Sequence, residues 1–302
     1  MARSSDKRHV IARSNMVISW VSKLAVIVTF CFVFLLVWNF RGTSTRLESE
    51  YKLPMCSAFL AYQGTRTLEQ TLASFSALLP KVEEKYILFQ QVDSASRLRW
   101  AEMLARKYHL RLILERENVG QRVAFMKLTH TCKQPFVIVF EEDFQLTTTL
   151  AHTMQQLQVG IDLLSSFSAD AVRMRSRKKP GEPHYSYRGW VKAGSRFGSG
   201  VASSHLLEHV VWDDHAEQHV TEIYVCVQRP KTWCASSRHA HYTNNPVLYR
   251  TKFINSVFNH VPNGTEVHFE NWLTAFWTQQ NFTVAYSDGV VTHNRVDRNM
   301  LP

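Results

Sequence analysis

Three adjacent acids directly follow a short apolar run in the middle of the chain. Residues 136–140 are all apolar, and Glu141, Glu142 and Asp143 come next. The run is typical of a strand buried on both faces, and acids at its end must meet water, a cation or a basic partner. Mg²⁺ and Mn²⁺ favour carboxylate oxygens and commonly join one or two protein acids to nucleotide phosphates. The triplet therefore predicts a divalent metal site, with a plain acidic turn as the alternative.

Alternating strand and helix patterns precede the triplet and would position it. Apolar runs predict strands at 53–62, 85–92, 110–114 and 136–140, and amphipathic stretches predict helices at 67–79, 95–108 and 122–130. Such alternation is typical of a doubly wound, mostly parallel α/β sheet with helices on both faces, in which ligands bind at the carboxyl ends of the strands. Asp93, which with Ser94 lies where the second helix can be capped, Asn118 and the triplet all follow predicted strands. We expect them to share one edge of the sheet.

The first forty residues predict a membrane anchor. Residues 24–40 hold no charge, and the apolar stretch extends back to about residue 16, which is long enough to span a bilayer. The basic residues before it predict a cytoplasmic tail (residues 1–15), a transmembrane signal anchor (16–40), a short stem (41–52) and a lumenal domain (53–302). A cleaved signal peptide is the alternative, but the apolar segment is long for one and no small-x-small cleavage site follows it.

Sequons and cysteines agree with a lumenal location. Asn263 and Asn281 each begin a glycosylation sequon on the translocated side. Cys31 falls within the anchor, which leaves an even number of cysteines for an oxidising compartment. Cys226 and Cys234 bracket a short loop and form a plausible disulfide, whereas Cys56 and Cys132 either pair or remain buried thiols.

The charge distribution argues against nucleic acid as a partner. The formal net charge is +10, of which the first 40 residues carry four, so about +6 remains for the lumenal region. No basic stripe interleaved with aromatic residues stands out. The excess favours phosphate-bearing or acidic ligands, or merely solubility. The densest basic cluster, at residues 173–179, is interpreted as a solvated strand end and loop.

The second half of the chain offers one acidic helix and a late histidine. Glu266 and Glu270 could share a helical face with Trp277, while Phe269, Leu273 and Phe276 would form a core stripe. A carboxylate placed there can remove a proton from a hydroxyl group, or it simply faces solvent. Further along, His293 follows a short apolar strand, and Arg295 and Arg298 come soon after it.

These features together resemble the GT-A fold glycosyltransferases, type II membrane enzymes of the Golgi that use nucleotide sugars. Their acidic metal motif, usually Asp-x-Asp, ends a central strand, and Glu141-Glu142-Asp143 holds that position here. It is closest to the Glu-Asp-Asp of an N-acetylglucosaminyltransferase in that group, and the turn at residues 118–120 is similar to an asparagine-glycine turn of family 2 relatives. The resemblance covers residues 53–143. It implies a GT-A-like fold in which residues 53–145 bind the nucleotide sugar and residues 146–302 bind the acceptor.

The resemblance also implies roles for individual residues. Asp143 would hold Mn²⁺ (or Mg²⁺), with Glu141 and His293 as further metal ligands. Glu270 would be the base of an inverting transfer, with Glu266 as the runner-up. The nucleotide-sugar donor, with a UDP-sugar favoured, would be bound by Tyr62, Asp93, Asn118, Arg122, Glu142 and Arg295. The implied activity is that of a metal-dependent hexosyl- or N-acetylhexosaminyltransferase acting on a glycan or glycoprotein in the Golgi lumen.

Two other functions are compatible with the sequence. One is a catalytically inactive, membrane-anchored lectin-like or chaperone module on the same scaffold, which the leading glutamate of the triplet allows. The other is a metal-dependent lumenal hydrolase of nucleotide sugars, which needs water where the acceptor would sit. Binding of glycan without any response to nucleotide sugars would select the first, and donor consumption independent of acceptor would select the second.

Overall fold

The computed structural model describes residues 51–62, 65–179, 214–262 and 269–294. The predicted tail, the anchor and all but the last two residues of the stem lie outside these ranges, as do the sequon at Asn263 and the residues Glu266, Arg295 and Arg298. Among the residues that the structure describes, none of the helices has the length and hydropathy that a membrane crossing requires.

The described residues form one mixed sheet of ten strands, in the order β3-β2-β1-β4-β9-β6-β10-β8-β7, with β5 paired to β10. In chain order the strands are β1 (Leu53–Ala61), β2 (Val82–Phe89), β3 (Arg111–Leu114), β4 (Phe136–Glu141), β5 (Phe144–Leu146), β6 (Ala171–Arg175), β7 (Ile223–Gln228), β8 (Lys231–Ser236), β9 (Val247–Arg250) and β10 (Thr283–His293). The first four strands are parallel, as is the β6–β10 pair, whereas β5, β8 and β9 run against their neighbours. The predicted mostly parallel α/β sheet is confirmed, and the antiparallel strands of the second half are an addition to it.

Helices cover both faces of the sheet, as predicted. They are α1 (Thr65–Phe75), α2 (Ala95–Lys107), α3 (Gly120–Thr131), α4 (Leu150–Ser165), α5 (Ala216–His219), α6 (Thr251–Phe258) and α7 (Phe269–Gln279). Helices α1, α2 and α4 contribute to one core, and α3, α6 and α7 contribute to the other. β1 serves both cores because side chains alternate along a strand: Met55 and Phe59 enter the first core, and Ala58 enters the second. Ser94 caps α2 by accepting a hydrogen bond from the Arg97 amide, as the sequence predicts.

The chain changes direction across the sheet between β1 and β4. After β1 it adds β2 and β3 on one side, and β4 then returns to the opposite side of β1. The crevice outside the carboxyl ends of β1 and β4 is therefore the topological switch point, where ligands bind in sheets of this kind. The acidic triplet begins at the last residue of β4.

The four cysteines that follow the predicted anchor form two disulfides. Cys226–Cys234 bridges β7 to β8, and this pairing was predicted from the sequence. Cys56–Cys132 joins β1 to the residue that follows α3, which decides the alternative that the sequence left open. Both bonds agree with folding in an oxidising compartment.

Two arginines of the 173–179 cluster, Arg173 and Arg177, are buried, so the interpretation of this cluster as a solvated strand end and loop is wrong for these two. Arg173 is 7% exposed and Arg177 is 4% exposed. Arg177 donates to Asp288 at 2.6 Å and to Asp214 at 3.2 Å, and its guanidinium lies 4.0 Å from the centre of the Trp233 ring. A buried guanidinium requires such partners. Both acids are distant in the sequence, so the local pattern of basic residues could not reveal them.

Trp277 also differs from its predicted position. It is 2% exposed and lies in the core with Phe269 and Leu273, whereas the sequence placed it on the face of Glu270. Residues spaced four apart lie on one side of a helix, so 269, 273 and 277 form the buried stripe of α7. Glu270 lies beside that stripe and is partly buried.

Glu217 on α5 should make the stability of the protein depend on pH. Its carboxylate accepts hydrogen bonds from Lys231 Nζ at 2.7 Å and from Trp233 Nε1 at 2.6 Å. Burial raises the pKa of Glu217, but these two hydrogen bonds, a backbone hydrogen bond and the charge of Lys231 together outweigh burial and lower the pKa to about 2. Because the folded pKa lies below the ordinary value of 4.5, this stabilisation is present above pH 4.5 and is lost as the pH falls toward 2.

We therefore expect Glu217→Gln to lower the free energy of unfolding at pH 7 by about 1–2 kcal/mol, after allowance for partial exposure. The difference between wild type and variant should shrink as the pH is lowered from 4.5 toward 2. Urea unfolding at pH 7, 4 and 3 measures it. A difference that stays constant over this range would contradict the role of the Glu217 charge.

Candidate active site

Asp143 and His293 meet at the carboxyl edge of the sheet. Asp143 Oδ2 lies 2.7 Å from His293 Nε2, although the two residues are 150 positions apart. The pairing of β5 with β10 places them there, because Phe144 is in register with His293. The amide of Asn294 also donates to the Asp143 carbonyl at 2.7 Å, and the Phe144 ring stacks on the imidazole at 4.7 Å. The structure thus brings together two residues that the sequence predicted as metal ligands.

A carboxylate oxygen and an imidazole nitrogen form a donor set that suits Mn²⁺. Among the described residues, three potential ligand atoms lie within 4.8 Å of one another only at Cys56, Glu84 and Cys132, whose cysteines are joined in a disulfide. The described part of the chain therefore offers few ligands at Asp143, as is usual for Mg²⁺ or Mn²⁺ bound largely through substrate phosphates and water. The residues present fit a cation whose remaining ligands would come from a nucleotide and water.

Gly289 allows the backbone of β10 to take the path that brings His293 next to Asp143. The register between β10 and β6 shifts between Tyr286 and Val291, and Gly289 within this shift has a φ of 73°. A Cβ added to Gly289 would lie 2.1 Å from the carbonyl oxygen of Arg175. Backbone cannot yield as a side-chain end can, so this position requires glycine.

We expect Gly289→Ala to lower the free energy of unfolding by about 2–4 kcal/mol, from strain at a positive φ together with the clash. Gly160→Ala is the matched control, because a Cβ there would meet the ends of Leu248 and Met174 at 3.0 Å. It should cost less, since these side chains can shift and alanine favours the helix. Chemical denaturation of both variants checks this, and equal effects would contradict it.

Glu142 connects the acidic turn to the end of β1. Its Oε2 accepts a hydrogen bond from the Tyr62 amide at 2.8 Å, and its carbonyl accepts one from Thr71 Oγ1 at 2.7 Å. The Tyr62 carbonyl in turn accepts a hydrogen bond from Arg97, which also donates to the Gln90 carbonyl at 3.3 Å. These contacts hold the loops after β1, β2 and β4 together at the switch point. The Tyr62 ring is 36% exposed beside them.

Glu141 and Asn118 are connected through the start of α3. Glu141 Oε1 accepts a hydrogen bond from Gln121 Nε2 at 2.7 Å. The Asn118 side chain accepts one from the Gly120 amide at 2.9 Å, and the Val119 amide donates to Gln90 Oε1 at 3.0 Å. The Asn118 side chain thus stabilises the turn at residues 118–120. Gly120 has a φ of 76°, a conformation that such turns commonly need.

Two further residues predicted to bind the donor, Asp93 and Arg122, make these contacts in the structure. Asp93 is exposed on the turn between β2 and α2, and its amide donates to the Gln91 carbonyl at 3.1 Å. Arg122 is 7% exposed, and its guanidinium donates to the Val261 carbonyl at 3.0 Å. Arg122 therefore ties α3 to the segment that precedes α7. Donor contacts by either residue stay predictions.

Glu270 opens α7, and its Oε1 accepts a hydrogen bond from the Asn244 amide at 3.0 Å. Residues 241–246 lead into β9, which runs antiparallel to β4 and β6 and therefore begins toward the edge of the sheet where those two strands end. Burial raises the pKa of Tyr242 well above its ordinary value, and the charges of Tyr249, Glu270 and Glu141 raise it further. The negative charges of Glu141, from the first half of the chain, and Glu270, from the second, thus both disfavour ionisation of the buried Tyr242 hydroxyl.

Sequence reasoning missed the residues that orient the site. Arg97, Gln90, Gln121 and Thr71 bind backbone or acidic groups of the site, but none belongs to a motif. One pattern was available for two of them: Gln90 lies near the end of the strand predicted at 85–92, and Gln121 follows the asparagine-glycine turn. The predicted residues Glu266 and Arg295 lie outside the described residues.

Comparison with known proteins finds structural likenesses at low sequence identity. No protein-family model matches the sequence, and no curated protein matches it. TarS from S. aureus aligns over 81% of this chain and 37% of its own length, with 10% identity and a TM-score of 0.47. TarS residues 1–349 in complex with UDP align over 80% and 61%, with 10% identity and a TM-score of 0.47.

A mannosyltransferase, PcManGT from Pyrobaculum calidifontis in complex with GDP-Man and Mn²⁺, aligns over 43% of this chain and 37% of its own, with 14% identity and a TM-score of 0.34. The chain thus spans less than two thirds of each of these three structures. With TM-scores below 0.5, these likenesses carry no argument here. The functional proposal rests on the geometry of the site.

Proposed function

We propose that the chain is a metal-dependent glycosyltransferase that moves a sugar from a nucleotide-sugar donor to a hydroxyl group of a glycan or glycoprotein. The observation that carries the proposal is the contact of Asp143 with His293 at the topological switch point of the sheet. Nucleotides bind at this place in α/β sheets, and the donor set suits a cation that joins protein to phosphate.

The donor half of the site would be the edge formed by β1, β2 and β4. Tyr62 presents a partly exposed ring there, and Glu142 and Arg97 fix its backbone. An aromatic ring in this position can stack on a base, and a UDP-sugar is the donor that we favour. A divalent cation bound through Asp143 and His293 would stabilise the negative charge that develops on the departing diphosphate.

The acceptor half would be organised by Glu270. An inverting transfer needs a carboxylate that takes the proton of the acceptor hydroxyl as the hydroxyl attacks the anomeric carbon. The Asn244 amide fixes the Glu270 carboxylate in one orientation, which supports a role for this side chain as a positioned base. Glu270 is therefore our choice for the base.

The location would be the Golgi lumen, with residues 16–40 as a type II signal anchor. The uncharged stretch of residues 24–40 and the basic residues before it support this topology. The two disulfides support an oxidising compartment, and the exposed position of Asn281 is compatible with glycosylation there.

The proposal is tested by incubating the full-length protein with UDP-, GDP- and CMP-sugars and a panel of methyl glycosides. We expect release of the nucleotide only when Mn²⁺ or Mg²⁺ and an acceptor are both present, and loss of release in EDTA. Nucleotide release that continues in EDTA would contradict the proposed dependence on a divalent metal. Nucleotide release that does not require an acceptor would indicate a hydrolase. No release from any donor would support a non-catalytic module.

A further inference from the structure

Asn244 carries a buried amide group that the fold itself does not use. The residue is 6% exposed, and within the part of the chain that the structure describes neither Oδ1 nor Nδ2 has a hydrogen-bond partner. A buried polar group without a partner costs about 1–3 kcal/mol, so such groups are rare in native proteins and call for an explanation.

The neighbouring asparagine shows that this loop is able to pair such groups. Asn245 Nδ2 donates to Thr243 Oγ1 at 2.8 Å, and Asn245 Oδ1 accepts a hydrogen bond from Arg175 at 3.3 Å. Both ends of the Asn245 amide are thus bonded within the fold. The unpaired amide of Asn244 is a property of that one position and not of the loop.

The backbone of Asn244 contacts the proposed base. Its N–H donates to Glu270 Oε1 at 3.0 Å, and Tyr242, two residues earlier, is influenced by both Glu270 and Glu141. Asn244 therefore belongs to the acceptor half of the site, while Asp143 and Tyr62 belong to the half proposed for the donor.

We propose that Asn244 binds the acceptor sugar through the hydroxyl group adjacent to the one that Glu270 deprotonates. A side-chain amide offers one acceptor oxygen and two N–H donors, and a sugar hydroxyl both donates and accepts, so the two groups satisfy each other. The inference rests on the proposed function and extends it: the acceptor carries vicinal hydroxyl groups, and Asn244 recognises the one that does not react.

The test compares wild type with Asn244→Ala, using UDP- or GDP-sugars as donors and methyl glycosides of galactose, mannose and N-acetylglucosamine as acceptors. The loss of one hydrogen bond should raise the acceptor KM about tenfold while the donor KM stays within about twofold. The melting temperature should not fall, because the substitution removes an unpaired buried group. Asn259→Ala, at an exposed position after α6, is the matched control and should behave as wild type.

Monodeoxy acceptors complete the test. Removing the adjacent hydroxyl should weaken the reaction of wild type about tenfold and leave Asn244→Ala unchanged, since the interaction is already absent in the variant. An unchanged acceptor KM in Asn244→Ala would overturn the inference alone and leave the proposed function standing. A wild-type protein that transfers from no donor to any acceptor would overturn the proposed function and this inference with it.

Discussion

Asp143→Asn is expected to abolish sugar transfer while the protein remains folded. Asparagine keeps the shape of the side chain and can still form a hydrogen bond with His293, so the β5–β10 contact should persist. The charge that holds the cation is lost, and stabilisation of the leaving diphosphate by a metal is worth several kcal/mol. We therefore expect kcat/KM to fall by at least about a thousandfold.

Asp162→Asn provides the matched control for this variant. Asp162 is an exposed acid on α4 that bonds to Gln158 on the same helix. It should keep wild-type activity, and all three proteins should have similar circular dichroism spectra and melting temperatures. Activity within about threefold of wild type in Asp143→Asn would contradict the metal assignment, because a lost metal ligand has a far larger effect.

Glu270→Gln is expected to have the second largest effect. The glutamine side-chain oxygen can still accept the hydrogen bond from the Asn244 amide, so the start of α7 should keep its position. A side-chain amide cannot take a proton from the acceptor, and general base catalysis contributes about 100- to 10,000-fold. We expect kcat to fall in this range while the donor KM changes little.

Steady-state kinetics with varied donor and varied acceptor measure this effect, with Glu102→Gln on the exposed side of α2 as the control. A fall in kcat of less than about fivefold would show that Glu270 is not the base. The runner-up, Glu266, would then be tested by the same substitution.

The first half of the fold follows from local patterns. Alternating apolar strands and amphipathic helices predict the elements up to β4 with ends within a few residues, because each strand serves two cores and each helix covers one. The antiparallel strands of the second half have weaker patterns. β9 and β6 are four and five residues long, and their pairing depends on contacts that local sequence does not encode.

The site shows the same division between local and distant information. Asp143 comes soon after a predicted strand, so its place at the edge of the sheet could be foreseen. The meeting of Asp143 with His293 depends on a bulge at Gly289, and the bond from Asn244 to Glu270 depends on the order of β9 in the sheet. The burial of Arg173 and Arg177 likewise depends on partners that are distant in sequence, including Asp288 and the His241 carbonyl.

The central claim is that Asp143 binds a cation whose coordination is completed by a nucleotide. It is tested most directly by following free Mn²⁺ through its electron paramagnetic resonance signal as full-length protein is added, with and without UDP. Because the protein supplies few ligands, wild type should bind Mn²⁺ weakly alone and at least about tenfold more tightly with UDP, and Asp143→Asn should lose this gain. Equal Mn²⁺ binding by wild type and Asp143→Asn in the presence of UDP would contradict the account.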